Sequence, residues 1–374
     1  MNSLNCYEMR NTAEIFPVML EIDGGQKSGS GTIVRDVVSL ASLTGQEVHL
    51  RNIRAKRRSP GLRPQHVTAV KAISELCDGE VHGAEVGSSE ITYSPGVRCA
   101  GGDFAWDIGT AGSATMLSFT LLPAALFAAS PSSHTITGGL FQDFAPSAFH
   151  FKHVFLPILR AMGADVRLEI VQPGYVPQGG GRIHLQVTPV EGCLQPLDLQ
   201  ARGEVTLVKG VALSSRLEDR EVSDRMAEAC RTILSQTGYQ PDMDIIYDTE
   251  EAPAFRSVAR QPGAVLAIWA ETSNGCLIGA DRAGARGRSS ESIGKYTAKI
   301  LLEDLRTHAA VDRFLADQVI PYAALAEGTS RIAIPRMTDH VETRIWLAEE
   351  MLGATIEVRP NQLLIKGTGF QVRR

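Results

Sequence analysis

The sequence has no Cys-x-x-Cys pair. Its six cysteines, Cys6, Cys77, Cys99, Cys193, Cys230 and Cys276, are scattered, and none stands at zinc-site spacing from a histidine. That argues against a structural zinc module, and scattered cysteines in a chain this long read as reduced thiols, so a cytoplasmic location is the default expectation. An excess of positive charge is lacking too: 37 Lys and Arg against 42 Asp and Glu give a formal net charge of -5. A protein that coats duplex nucleic acid is normally basic, so a nucleic-acid partner would have to be gripped locally, at an end. The longest apolar stretch, Leu117 to Ala129, is interrupted by Ser118, Thr120 and Pro123 and is too short to span a bilayer; no membrane partner is expected. Residues 1–18 lack the basic start and apolar run of a signal peptide and read as an N-terminal extension. A Walker A loop is missing, and no glycine cluster makes a convincing dinucleotide fingerprint.

What is present is an ordinary globular composition, 44% hydrophobic and 21% charged, over 374 residues. That length favours two domains, or one large domain with an insertion. The order of apolar patterns recurs along the chain. A short strand at 19–22 enters a Gly/Ser-rich loop, followed by helical spacing over 33–43, a strand at 48–53 and a helix over 65–76. A strand at 104–108, the loop Gly109-Thr110-Ala111-Gly112-Ser113, a helix over 114–128, a strand at 134–137 and a helix over 147–162 repeat the pattern. A third run has helices over 290–306, 313–324 and 340–351 with strands at 330–334, 355–359 and 362–366. Between the second and third runs, residues 191–281 read as βαβββ without the glycine loops. The expectation is therefore α/β: a main domain of three βαβαββ-type repeats over 19–190 and 282–374, with a small α/β domain inserted at 191–281.

Four motifs carry candidate chemistry. Ser28-Gly29-Ser30-Gly31-Thr32 feeds a helix with Arg35 in its first turn, which suits either a plain turn or an anion cradle. Arg51-Asn52-Ile53-Arg54-Ala55-Lys56-Arg57-Arg58 is the strongest basic run, either a solvated loop or a phosphate clamp, and His66 follows in the first turn of the next helix. Arg282-Ala283-Gly284-Ala285-Arg286-Gly287-Arg288 reads as a flexible linker rejoining the main domain. Asp339-His340 stands between a strand and an amphipathic helix. A histidine there has a free imidazole face and a pKa near working pH, so it suits a nucleophile as well as a helix-end residue.

In combination these blocks resemble the RNA 3′-terminal phosphate cyclase family from about Leu20 to Val358. The match is carried by Ile53-Arg54-Ala55, Pro60-Gly61-Leu62, Gln65 to Ala72, Gly109 to Ser113, Thr137-Gly138-Gly139, Gly179-Gly180-Gly181, Phe314 to Gln318 and His340. The resemblance implies ATP-dependent conversion of an RNA 3′-phosphate to a 2′,3′-cyclic phosphate through His–AMP and RNA-ppA. It implies that His340 is the nucleophile, that Phe314, Asp317, Gln318, Pro146 and Arg35 bind ATP, and that Arg54, Arg57 and His66 meet the RNA end. ATP, a divalent cation (Mg or Mn) and an RNA 3′ end are the implied cofactors and partner. The family's first loop usually begins with a metal-holding Glu where this chain has Ser28, and Phe119 stands where Gln is common, so the metal ligands stay open. A cyclase-like RNA-binding or ribosome-assembly protein without adenylation is the alternative; the oligomeric state, a homodimer included, is left open.

Overall fold

The computed structural model describes residues 19–96 and 99–371; the extension read over 1–18, with Cys6, lies outside them. The described residues form four four-stranded sheets in a mixed α/β arrangement. Three of the sheets share one strand order. In the first, β1 (Leu20–Asp23), β2 (Val48–Arg51), β3 (Glu80–His82) and β4 (Ile91–Ser94) lie as β1-β2-β4-β3, with β1 parallel to β2 and the other pairs antiparallel. The next four strands, β5 (Gly102–Asp107), β6 (Ser132–Gly138), β7 (Asp165–Gln172) and β8 (Gly181–Thr188), lie as β5-β6-β8-β7 with the same directions. The third copy uses β9 (Asp198–Leu199), β14 (Thr329–Ala333), β15 (Thr355–Arg359) and β16 (Gln362–Lys366), ordered β9-β14-β16-β15. One helical segment follows the first strand of each copy and another the second, so the repeated unit is βαβαββ.

The helices form because their apolar positions recur on one stripe and their ends are capped. In α1 (Gly31–Thr44) the buried face carries Ile33, Val34, Val37, Val38, Leu40 and Ala41; Ser30 caps the start by accepting from Thr32 N–H, and Gly45 closes the end at φ 71°. The second helix, α2 (Pro64–Leu76), starts on a proline, where the missing N–H costs nothing. Every residue of α3 (Ala114–Leu126) except Met116 is buried. The apolar run noticed in the sequence is thus a core helix, and among the described residues no helix is long and apolar enough to cross a membrane.

Two helices expected as single pieces are broken, both at prolines. The segment over 147–162 is α4 (Ala148–His150), a π-helical turn (Phe151–Phe155) and α5 (Leu156–Ala161). Pro157 has no N–H for the ladder, and the widened turn just before it sends Leu156 N–H back to Phe151 O. The segment over 313–324 divides at Val319 into α8 (Leu315–Gln318) and α9 (Ile320–Leu325), where Pro321 opens the second piece.

The fourth sheet differs. Its strands β10 (Val205–Ser215), β11 (Pro241–Asp248), β12 (Gly263–Thr272) and β13 (Leu277–Ala283) lie as β11-β10-β12-β13, so the antiparallel hairpin joins the first strand of the parallel pair rather than the second. It follows β9 in the chain, so it interrupts the third copy after its first strand. Helices α6 (Val222–Ser235) and α7 (Ser290–Arg306) pack on it and on each other, sharing a core of Met226, Cys230, Leu266, Ile278 and Leu301. On this packing we propose that the inserted unit runs from β10 through Arg306.

The expectation of reduced thiols is corrected at one pair: Cys77 and Cys99 form a disulfide across 22 residues of sequence. Cys77 follows α2, and the Ala100 N–H to Leu76 O hydrogen bond of 3.1 Å brings the next segment alongside, a tertiary contact with no signature in the spacing. Cys193, Cys230 and Cys276 are free.

Helices α6 and α7 touch through Gly294, where a Cβ would lie 2.3 Å from the backbone oxygen of Met226 and 2.9 Å from Ala229 Cβ. A backbone carbonyl cannot rotate away. Gly294→Ala is expected to lower stability by about 1–3 kcal/mol through overpacking, read as a fall in the denaturant midpoint.

Candidate active site

The tenth helix, α10 (Asp339–Leu352), begins on Thr338, whose side chain accepts from Val341 N–H. His340 is therefore in the first turn, half-buried, with Nδ1 3.2 Å from Thr32 Oγ1 in the first turn of α1. One turn further along α10, Thr343 Oγ1 accepts the Ser28 N–H at 3.1 Å and lies 2.9 Å from Ser28 Oγ, which is 3.0 Å from Ser30 Oγ. The Gly/Ser-rich loop of the first repeat thus lies directly against the helix that carries His340 in the third.

Arg344 fixes this seam. It is buried; its Nε donates to Asp36 Oδ2 on α1 at 3.0 Å, and its Nη1 stands 3.0 Å from Asp317 Oδ2 on α8 in an ion contact without hydrogen-bond alignment. Burial disfavours the Arg344 cation, but Asp36 and Asp317 outweigh it and hold the group above its ordinary pKa. Burial likewise raises the Asp317 carboxyl, against the pull of Arg344 and His340.

His340 has a lowered pKa. Burial is the main cause; Asp317 opposes it, and the cations Arg344, Arg57 and Arg35 reinforce it. The imidazole is therefore neutral at pH 7. With an Nδ1–H donated to Thr32 Oγ1, Nε2 carries the lone pair and can act as a nucleophile. The Thr32 hydroxyl is compatible with this tautomer because it accepts as well as donates; the tautomer is an assignment, made because it leaves Nε2 unprotonated.

The basic residues gather beside it. Arg35 is buried with no carboxylate within ion-pair distance among the described residues; its Nη2 rests 3.7 Å from Met116 Sδ, and burial brings its pKa down to about 10. A buried guanidinium without an anion is an unmet charge. Arg54 uses Nη1 to clamp the Ser59 and Gly61 carbonyls, each at 2.7 Å, so it shapes the basic loop while adding charge; Arg57 is exposed. His66 is buried. Its Nδ1 accepts from Arg63 N–H at 3.1 Å, and burial together with Arg35, Arg54 and Arg63 pushes its pKa down to about 2, so it stays neutral. Its Nε2 covers Gly31, where a Cβ would come within 2.1 Å; that contact requires glycine at the start of α1.

Phe314 and Pro146 lie on a neighbouring wall. Phe314 meets His150 edge-on at 5.9 Å, and the Pro146 carbonyl accepts from Thr115 Oγ1 at 2.8 Å at the start of α3. His150 is buried and bound to Asp312 Oδ2 at 3.0 Å, while Asp312 Oδ1 caps the Phe314 and Leu315 N–H groups at 2.8 Å each. The aromatic ring of Phe314 is thereby held at the mouth of α8. Gln318 is buried beneath the site, its Oε1 without a partner, beside Tyr322, Arg344 and Phe119 around a small cavity. Phe119 packs edge-on against Phe151 and Phe155, which makes it a core residue.

The geometry thus groups His340 with Arg35, Arg57 and Asp317, puts His66 and Gln318 one layer behind, and sets Phe314 and Pro146 to the side. The sequence singled out Thr32 only as part of its loop, and Asp36, Thr343, Arg344, His150 and Asp312 were missed. Only Thr343 and Arg344 carried a signal, their i+3 and i+4 spacing from His340. The loop offers neutral Ser28, Ser30 and Thr32 hydroxyls where a hard cation takes charged oxygens, and Asp36 and Asp317 are engaged by Arg344. No cluster of three His, Cys, Asp or Glu able to hold a metal exists among the described residues. The donor set does not fit a divalent cation held by the protein.

Two measurements check these electrostatics. The His340 imidazole is expected to titrate below 6.5 by NMR, and Arg57→Gln, which removes a cation that depresses it, is expected to move the titration upward. Arg344→Met leaves the partly buried Asp36 and Asp317 without their partner and is expected to cost about 3 kcal/mol of folding stability at neutral pH.

Comparison with known proteins identifies the family of the chain. The family profile described as RNA 3′-terminal phosphate cyclase matches residues 26–358. The RNA 3′-terminal phosphate cyclase of Ignicoccus hospitalis is 38% identical over 359 residues, spanning 94% of this chain and 100% of that one. The protein of the same name from Methanopyrus kandleri is 36% identical over 342 residues, 91% of this chain and 95% of that one. Among solved structures, the enolpyruvyl transferase NikO from Streptomyces tendae overlays at a TM-score of 0.37 and 13% identity, over 93% of this chain and 48% of that one, too distant to bear on function. With a family match over nearly its whole length and relatives 36% and 38% identical over 91% and 94% of it, this chain belongs to the RNA 3′-terminal phosphate cyclase family.

Proposed function

We propose that this chain converts an RNA 3′-phosphate end to a 2′,3′-cyclic phosphate with ATP as co-substrate, and that His340 is the catalytic nucleophile. The observation that carries the reading is a neutral, half-exposed imidazole anchored through Nδ1 to Thr32 and surrounded by Arg35, Arg57 and Arg344. Such a group is nucleophilic at neutral pH, and its neighbours suit a polyanionic substrate.

In this reading His340 Nε2 attacks the α-phosphorus of ATP. An N–P bond forms as the bond to the bridging oxygen breaks, and pyrophosphate leaves. Nδ1 keeps its proton toward Thr32, so the adenylated ring is cationic and departs readily. An oxygen of the RNA 3′-phosphate next attacks the same phosphorus and displaces the imidazole, giving RNA-ppA. The adjacent 2′-hydroxyl then attacks the 3′-phosphorus, gives its proton to water and expels AMP. That last step gains from proximity, since nucleophile and phosphorus are on one ribose.

Arg35, Arg54 and Arg57 are the residues assigned to the phosphates, with Arg35 and its unmet charge nearest the α-phosphorus side of α1. Phe314 and Pro146 flank the space assigned to adenine, and Asp317 and Gln318 support α8 below it. His66 acts indirectly, by setting the start of α1 through Gly31. A divalent cation would have to arrive with the nucleotide, since the hydroxyl-lined loop makes a poor cradle for one, and no step is assigned to it. The neutral Ser28 loop favours a second reading in which the chain binds RNA ends without adenylation.

The two readings separate on an oligoribonucleotide ending in a 3′-phosphate. Incubation with ATP is expected to yield a phosphatase-resistant end together with AMP and pyrophosphate. His340→Ala is expected to abolish the conversion, and Arg35→Met to slow it by about 10²–10³. RNA binding without conversion, unchanged by ATP and by His340→Ala, would favour the second reading.

A further inference from the structure

A cleft of about 700 Å³ lies between the inserted unit and the second repeat, away from the hydroxyl-lined loop. Arg220, Arg225, Arg286 and Arg288 line it. Arg225 pairs with Glu291 and Arg288 with Asp143, whereas Arg220 and Arg286 are exposed and have no acidic side chain within ion-pair distance among the described residues. The first turns of α6 and α7 also line the cleft, each carrying one acid, Asp224 and Glu291, so the positive charge of the lining comes from its arginines. In a chain with a net charge of -5 this is a local concentration of positive potential.

A wall of the candidate active site, the segment 139–147, is tied to the cleft without lining it. The segment 139–147 joins Pro146 to Thr115 at the start of α3, whose Met116 touches Arg35; on its other side Asp143 receives Arg288 at 2.8 Å, and Ser147 N–H donates to Asp281 at 2.8 Å. At the tip of this wall Phe144 is fully exposed, at φ 68°, a backbone conformation that aromatic residues rarely adopt. An aromatic held in water beside an arginine-lined groove is the arrangement that binds single-stranded nucleic acid: bases stack on the ring while guanidinium groups meet the backbone.

We propose that the RNA strand immediately 5′ of the reacting end leaves the active site over Phe144, which stacks on a base, and enters this cleft, where Arg220 and Arg286 contact its phosphates. The assignment rests on the proposed end-processing function and makes the segment Arg282–Arg288, read in the sequence as a linker, part of the substrate path.

Binding of single-stranded 3′-phosphorylated oligoribonucleotides tests it, by fluorescence anisotropy with a dinucleotide and a dodecanucleotide over a range of salt. Wild type is expected to bind the longer RNA more tightly. Phe144→Ala is expected to weaken that binding about tenfold and leave the dinucleotide unchanged. The double variant Arg220→Ala/Arg286→Ala is expected to weaken it too and to reduce the salt slope by roughly 0.7 for each phosphate that is no longer neutralised. All three side chains are exposed, and unchanged melting temperatures would show that the variants fold. Equal affinity for the two lengths, or variants that bind the longer RNA as wild type does with the same salt slope, would overturn the proposal. Self-adenylation in the absence of RNA reads the active site separately: its absence beside intact length-dependent binding would sink the proposed reaction and leave the cleft assignment standing.

Discussion

The arrangement depends on one buried cation. Arg344 reaches from the third repeat to Asp36 in the first and to Asp317 at the start of α8, and all three groups are largely withdrawn from water. Burying them is expensive unless each charge is matched, so the triad tolerates little displacement of the elements that carry it. His340 is one helical turn away on the same face of α10. Its contact with Thr32, its depressed basicity and its position beside the basic loop therefore follow from how that triad clamps residues more than 300 positions apart in sequence.

The repeat architecture explains why the seam can exist. Each βαβαββ copy turns its helices toward a common core, and the loops after first strands and the starts of second helices meet where copies adjoin. Copy one contributes a glycine-bearing loop that lies flat against α10; copy three contributes the histidine; copy two contributes the wall that ends in Pro146 and Phe144. Interrupting copy three after its first strand sets the proposed inserted unit against copy two without disturbing the seam, and four arginines of that unit line the groove between them.

Much of this could be read from the sequence, because strong local signals agreed with the fold. Apolar spacing over 33–43 and the proline start of α2 gave correct helices, and the recurring glycine loops gave the repeats. His340 could be singled out because it stands at the start of an amphipathic helix after a strand. What could not be read was tertiary. β9 has only two residues, too few for a periodic signal, so the insertion looked as if it preceded the third copy when it interrupts it. The breaks before Pro157 and at Pro321 were marked by the prolines themselves, but apolar periodicity on both sides masked them. Asp36 and Arg344 look like ordinary surface charges on amphipathic helices, and only the fold buries them together. Cys77 and Cys99 likewise have no local motif; the chain returns beside the end of α2 only after β3 and β4, and that return brings them together.

Whether this clamp presents His340 as the nucleophile toward ATP is tested most directly by mass-spectrometric mapping of the protein after exposure to ATP alone, under conditions that preserve phosphoramidate bonds. One adenylyl group is expected on the peptide that contains His340, and none there in Arg344→Met protein shown to remain folded. An adenylyl group on a different residue, or an unmodified His340 in wild-type protein that still cyclises RNA ends, would contradict the assignment.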